Sequence, residues 1–160
     1  MKTQVELIKQ GILNEIEGYE FYRMAGDKIA EEENKNIFYE IAEEERKHAE
    51  WLQLIYKKLS NQEIIDVAFL ENPPSPEIYQ WTKLKADQLH TGVSIFGVAI
   101  QMEKESVAFY QNAKMQVEDP NLLKLYDTLI GWEQIHLEQF TNQYSIYKEL
   151  WWQEQDFAPY

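Results

Sequence analysis

The chain has 160 residues, enough for one domain with a buried core, and its 44% apolar and 27% charged content describes a globular protein. A formal net charge of −13 argues against nucleic-acid and anionic membrane surfaces, which need clustered cations, and favours the gathering of positive ions instead. With no cysteine, the chain has no disulfide, thiol nucleophile, iron–sulfur cluster or thiolate-bound metal. No apolar run approaches the ~20 residues that span a bilayer. The opening Met-Lys-Thr-Gln-Val-Glu carries charge at once, without the apolar core of a secretion signal, so a cytoplasmic location is expected.

Taken in chain order, the first predicted helix runs from Thr3, its N-cap, to about Glu32. Its inward stripe is Ile8, Ile12, Glu15, Tyr19, Tyr22, Gly26 and Ile29. The second begins near Asn34 and carries Phe38, Ile41, Glu45, His48, Leu52, Ile55 and Leu59 at the same three-four spacing. Residues 60–91 break the rhythm, because Asn72-Pro73-Pro74-Ser75-Pro76 cannot lie inside a helix. A short helix from Pro76 to about Leu89 is expected in this crossover.

The third long helix resumes near Thr91 or Gly92 with the stripe Phe96, Ile100, Glu103, Val107, Tyr110 and Val117. Asp119-Pro120 separates it from the fourth, whose stripe is Tyr126, Leu129, Glu133, His136, Phe140, Tyr147 and Leu150. Residues 1–160 therefore read as one all-α domain: a helix hairpin over 3–59, a crossover over 60–91 and a second hairpin over 92–152. This is a four-helix bundle with one long connection. The aromatic end, Trp151, Trp152, Phe157 and Tyr160, is expected to pack on a bundle end or a partner subunit.

One pattern occurs twice at a constant offset of 88 positions (103 − 15 and 136 − 48). Glu15, Phe21-Tyr22, Ala25, Glu45 and His48 reappear as Glu103, Phe109-Tyr110, Ala113, Glu133 and His136. At about 100° per residue, Glu45 and His48 leave one helix face together, and so do Glu133 and His136. Both motifs sit within apolar stripes, between Ile41 and Leu52 and between Leu129 and Phe140, where solvated carboxylates have no reason to fall. Four glutamates and two histidines facing one interior can hold two divalent ions. Oxygen and nitrogen donors without sulfur suit iron, with manganese as the alternative.

Other polar residues read as ordinary surface. Glu17, Glu20, Glu43, Glu44 and Glu105 fall off the inward stripes and are expected to face water. Glu31-Glu32-Glu33 is expected to be a solvated helix end, and His90 a surface or capping residue. Tyr22 and Tyr110 either fill the core or hydrogen-bond the metal-binding carboxylates.

These motifs resemble the rubrerythrin-like branch of the ferritin-like di-iron carboxylate proteins. The resemblance is carried by Glu15-Ile-Glu-Gly-Tyr-Glu-Phe-Tyr22 and Ile37-Phe-Tyr-Glu-Ile-Ala-Glu-Glu-Glu-Arg-Lys-His-Ala49. Glu103-Lys-Glu-Ser-Val-Ala-Phe-Tyr110 and Trp132-Glu-Gln-Ile-His136 echo them. It implies a ferritin-like bundle with two iron ions per chain: Glu45 and Glu133 bridging, Glu15 and Glu103 terminal, His48 and His136 capping one iron each. It further implies reduction of hydrogen peroxide, or reaction with dioxygen, in oxidative-stress defence.

The chain departs from that family in two respects. Lacking cysteine, it has no rubredoxin-type electron-transfer domain, so an external electron-donor protein is expected. The inward neighbours of Glu103 are Ile100, Ser106 and Val107, so the extra carboxylate with which family members exchange a histidine is missing. The six-ligand set looks more like the symmetric ferroxidase centres of bacterial ferritins. A ferritin-type ferroxidase is therefore the alternative function, and a helical scaffold with a structural or vestigial metal the second alternative. A homodimer or higher homo-oligomer is expected.

Overall fold

The computed structural model describes residues 3–70 and 79–155. Four long helices account for most of them: α1 (Gln4–Lys28), α2 (Glu32–Ser60), α3 (Leu89–Lys114) and α4 (Pro120–Glu154). Among the described residues there is no strand, and no helix is long and apolar enough to cross a membrane. The predicted all-α bundle is thus the observed fold. Phe157 and Tyr160, placed by the sequence reading in the aromatic end, lie outside the described residues; Trp151 and Trp152 form the last turn of α4.

Helix starts follow the local chemistry. Thr3 caps α1 as expected: its hydroxyl accepts the Glu6 amide at 3.2 Å, and the Glu6 carboxylate accepts the Thr3 amide at 2.8 Å, a reciprocal capping box. Asp119 caps α4 by accepting the amides of Asn121 and Leu122, with Pro120 in the first turn, where its missing N–H matters least.

The apolar stripes assemble into two clusters, one on each side of a polar middle layer. The first joins Leu7 and Ile8 of α1, Leu52 and Ile55 of α2, Tyr110 and Ala113 of α3, and Leu122 to Leu129 of α4. The second joins Tyr22 and Ala25, Ile37 to Ala42, Phe96 and Ala99, and Phe140 and Tyr147. Running order follows from this: α1 and α4 pass from the first cluster to the second, and α2 and α3 pass the other way. The crossover contributes Ile65, Val67 and Leu70 to the first cluster and Leu84 to the second, so it travels the length of the bundle.

Three expectations change. First, α1 ends at Lys28 rather than near Glu32. Ile29 turns into extended backbone while staying buried, and the Ala30 amide donates to Gln88 Oε1 at 3.2 Å. Second, the helix expected over 76–89 is not formed in its described part. Residues 79–85 are irregular, followed by a 3₁₀ turn at Ala86–Gln88, and α3 begins at Leu89. The amides of Tyr79, Thr82 and Lys85 donate to the side chains of Gln139, Asn34 and Glu31 instead of to carbonyls one turn back. Glu31, expected in solvent, is thereby tied to the crossover. Third, Glu44 is buried rather than solvated.

Buried Asn34 is the strongest of these ties, exchanging two hydrogen bonds with the Thr82 backbone at 2.8 and 2.9 Å. Asn34→Ala leaves the Thr82 amide unpaired and is expected to destabilise the fold by about 1–3 kcal/mol. A thermal melt should register about 2–4 °C for each of those kcal/mol.

Candidate metal centre

The middle layer between the two apolar clusters is where the duplicated motif converges. Glu15 comes from the middle of α1, Glu45 and His48 from α2, Glu103 from α3, and Glu133 and His136 from α4; none is more than 4% exposed. Ligand atoms of Glu15, Glu45, His48 and Glu133 lie within 4.8 Å of one another, as do those of Glu45, Glu103, Glu133 and His136. All six residues singled out in the sequence are brought together, and Glu45 and Glu133 belong to both groups.

Each imidazole turns Nδ1 inward. His48 Nδ1 is 3.1 Å from Glu15 and 3.3 Å from Glu133; His136 Nδ1 is 3.2 Å from Glu45 and 3.8 Å from Glu103. Even so, Glu45 Oε1, Glu133 Oε1 and His136 Nδ1 are buried without a hydrogen-bond partner. Buried polar atoms are otherwise almost always paired. Inward-facing orphans of this kind, all oxygen or nitrogen donors, fit a pair of divalent cations.

The ambiguity over the tyrosines resolves toward hydrogen bonding, and the pattern is crossed. Tyr22 on α1 donates its hydroxyl to Glu103 on α3, and Tyr110 on α3 donates to Glu15 on α1. Burial, followed by the neighbouring carboxylates, pushes both phenols well above their ordinary range, so both remain donors. The bond to Glu15 takes Oε1 and leaves Oε2 facing His48, whereas in Glu103 the bonded Oε1 is also the oxygen nearest His136.

His90, on the exposed face of α3, takes no part. Glu44 does. Its Oε2 lies 2.6 Å from His136 Nε2, and its Oε1 accepts the Tyr79 hydroxyl at 2.9 Å. Sequence spacing missed it because position 44 is one step round the helix from Glu45. One signal was present: the duplicated position is Trp132, an aromatic that belongs inside.

A cavity of about 120 Å³ opens onto the cluster between α1 and α3, reaching Tyr22, Glu45, Glu103 and Glu133 past Gly18 and Ser106. These last two are duplicates of one another, as are Glu17 and Glu105, which are exposed and line the same opening. A Cβ on Gly18 would stand 3.3 Å from Glu45 Oε2, so the small residue keeps the passage clear. Of the three inward neighbours of Glu103 named in the sequence, Ser106 lines this cavity.

Without a cation the cluster holds protons. Burial opposes a charged His48, but Glu133 and Glu15 outweigh it and push the imidazole up to about 9 from 6.5. Burial likewise opposes a charged His136, which Glu133, Glu44 and Glu45 nevertheless raise. Burial, and then repulsion from Glu133, raises the carboxyls of Glu45 and Glu103. Glu133 is also disfavoured as an anion by burial, yet the neighbouring His136 and His48 rings and Glu103 hold it well below the usual carboxylate range. A group whose pKa rises on folding stabilises the fold fully below its unfolded value and ceases to do so above its folded value. His48 therefore stabilises the metal-free fold below pH 6.5 and loses that contribution as the pH rises through about 9. The thermal midpoint of the metal-free protein should fall across that interval. Metal loading, which displaces these protons, should flatten the fall and acidify an unbuffered solution.

Comparison with known proteins agrees with this geometry. The rubrerythrin family model matches residues 6–144. Among solved structures, a hypothetical protein from Pyrococcus furiosus shares the fold with a TM-score of 0.72 and 23% identity, over 92% of each chain. No curated protein matches the chain significantly. The family match runs from the first turn of α1 through most of α4 and takes in all six clustered residues: the chain belongs to the rubrerythrin family.

Proposed function

We propose that the protein is a non-haem di-iron oxidoreductase that reduces hydrogen peroxide in oxidative-stress defence. The observation that carries this reading is the pair of shared carboxylates, Glu45 and Glu133, buried between two overlapping four-residue groups. One ion would be held by Glu15, Glu45, His48 and Glu133, and the other by Glu45, Glu103, Glu133 and His136. Two ferrous ions would supply the two electrons that, with two protons, convert one peroxide into two waters, and an external donor protein would then restore them. Manganese is the alternative metal, and a cytoplasmic homodimer or higher homo-oligomer completes the proposal.

The remaining work belongs to the chain. Tyr22 and Tyr110 hold Glu103 and Glu15 in position from opposite helices, and the apolar clusters above and below keep bulk water from the layer. The cavity beside Gly18 and Ser106, about 120 Å³, has room for a dioxygen- or peroxide-sized molecule next to the cluster. Its acidic rim of Glu17 and Glu105 repels anionic oxidants and leaves neutral ones unhindered.

A ferroxidase reading draws on one specific feature, the absence of a further carboxylate at Ser106, which leaves a symmetric ligand set. Anaerobic loading with Fe²⁺ followed by mixing with either oxidant separates the two. Near-ultraviolet absorbance rising much faster with peroxide than with dioxygen, and saturating at two irons per chain, supports the peroxidase. Comparable or faster reaction with dioxygen, continuing past two irons, replaces it with ferroxidase chemistry.

Glu45→Ala and Glu133→Ala should each lower bound metal below two ions per chain, because each removes a ligand from both positions; unchanged metal content refutes the assignment. Ser106→Leu narrows the opening without replacing a proposed ligand. It should slow the peroxide reaction several-fold at unchanged metal content, as metal analysis beside stopped-flow absorbance would show.

A further inference from the structure

Among the positions at which the two copies differ, one falls against the histidines. The offset that pairs Glu45 with Glu133 pairs Glu44 with Trp132, so the two motifs read Glu44-Glu45-Arg46-Lys47-His48 and Trp132-Glu133-Gln134-Ile135-His136. Each of the two unlike residues reaches across the bundle to the histidine of the other motif.

At His136 the neighbour is a carboxylate. Glu44 Oε2 lies 2.6 Å from His136 Nε2, and Glu44 is itself held by the Tyr79 hydroxyl at 2.9 Å. Tyr79 is anchored in turn, its amide donating to Gln139 Oε1 at 2.9 Å, so the crossover fastens this end of the chain of contacts to α4. At His48 the neighbour is an indole. Trp132 stands edge-on to the imidazole with ring centroids 4.8 Å apart and Trp51 lies on another side at 5.4 Å, while His48 Nε2 is buried with no hydrogen-bond partner.

The two rings therefore differ as ligands. An imidazole that donates its outer N–H to a carboxylate is fixed in the tautomer that leaves Nδ1 free, is locked in orientation, and is a stronger base toward a metal. His48 has the same inward Nδ1 but must bury an unpaired N–H to present it, and only aromatic packing sets its plane.

We propose that the two metal positions are unequal, with Glu44 and Tyr79 as positioning residues that make the ion on the His136 side the first bound and the last released. The ion on the His48 side is the exchangeable one. This rests on the dimetal reading above and goes beyond it by ranking the two positions.

The test uses Co²⁺, a redox-stable probe with visible absorbance. The intact chain is loaded to saturation anaerobically, and the absorbance is followed while excess chelator withdraws the metal. Two phases of equal amplitude are expected, separated by at least about tenfold in rate. Glu44→Gln should accelerate the slow phase alone by about 10–100-fold, the usual range for such partners, and Tyr79→Phe should move the same phase by less. Because Tyr79→Phe removes one oxygen near the surface, it remains informative if Glu44→Gln fails to fold. A single phase in the unmodified protein overturns the ranking. So does a slow phase that neither variant shifts, or an equal acceleration of both phases, which would mark a loosened bundle. In each case the dimetal reading stands. Saturation below two Co²⁺ per chain instead overturns the dimetal reading itself.

Discussion

Four carboxylates and two imidazoles buried in the middle of a helical bundle impose the central constraint on this molecule. Removed from water, such groups destabilise the fold by several kcal/mol apiece unless their charge is met. The surroundings meet it in part: tyrosine hydroxyls are aimed at Glu15 and Glu103, and each histidine lies among carboxylates. What remains unmet faces inward, and the protonation of the metal-free cluster and its fitness for divalent cations follow from the same deficit. The apolar clusters on either side supply the stability that lets such a layer exist.

Neither hairpin can complete this layer alone. Tyr22 of the first hairpin serves Glu103 of the second, and Tyr110 of the second serves Glu15 of the first. Glu44, again from the first, serves His136. Glu45 and Glu133 lie where both halves meet. Assembly of the polar cluster therefore requires both hairpins, and the last part of the crossover ties them together beside the second apolar cluster through Asn34, Glu31 and Gln139.

The parts of this arrangement written in local spacing were legible in the sequence. A three-four stripe interrupted by Glu45 and His48, and again by Glu133 and His136, can be read without coordinates because helix geometry converts separation into direction. The Thr3 cap and the Asp119-Pro120 start are equally local. The early end of α1 was not legible, because Ile29 leaves the helix to meet residues from the far end of the crossover. Residues 79–85 gave a similar difficulty: their amides find side chains about fifty residues or more away, on α2 and α4. Glu44 was hidden by the helix periodicity that revealed Glu45, since neighbours on a helix point about 100° apart and only the packing of α4 shows that both directions lead inward. Tyr22 and Tyr110 were located but not oriented, since their partners lie on a helix whose placement the sequence leaves open.

The contrast between Glu44 and Trp132 says something about how a doubled architecture comes to differ with itself. Two identical hairpins associating about a twofold axis would have to carry the same residue at both places, two acids or two indoles. Linking the halves covalently, as the crossover does here, releases each from the other's mutations while keeping them adjacent. A position that symmetry would force to match is then free to specialise. In this chain the neighbour that each histidine receives has diverged, while the glutamates shared by both halves have not.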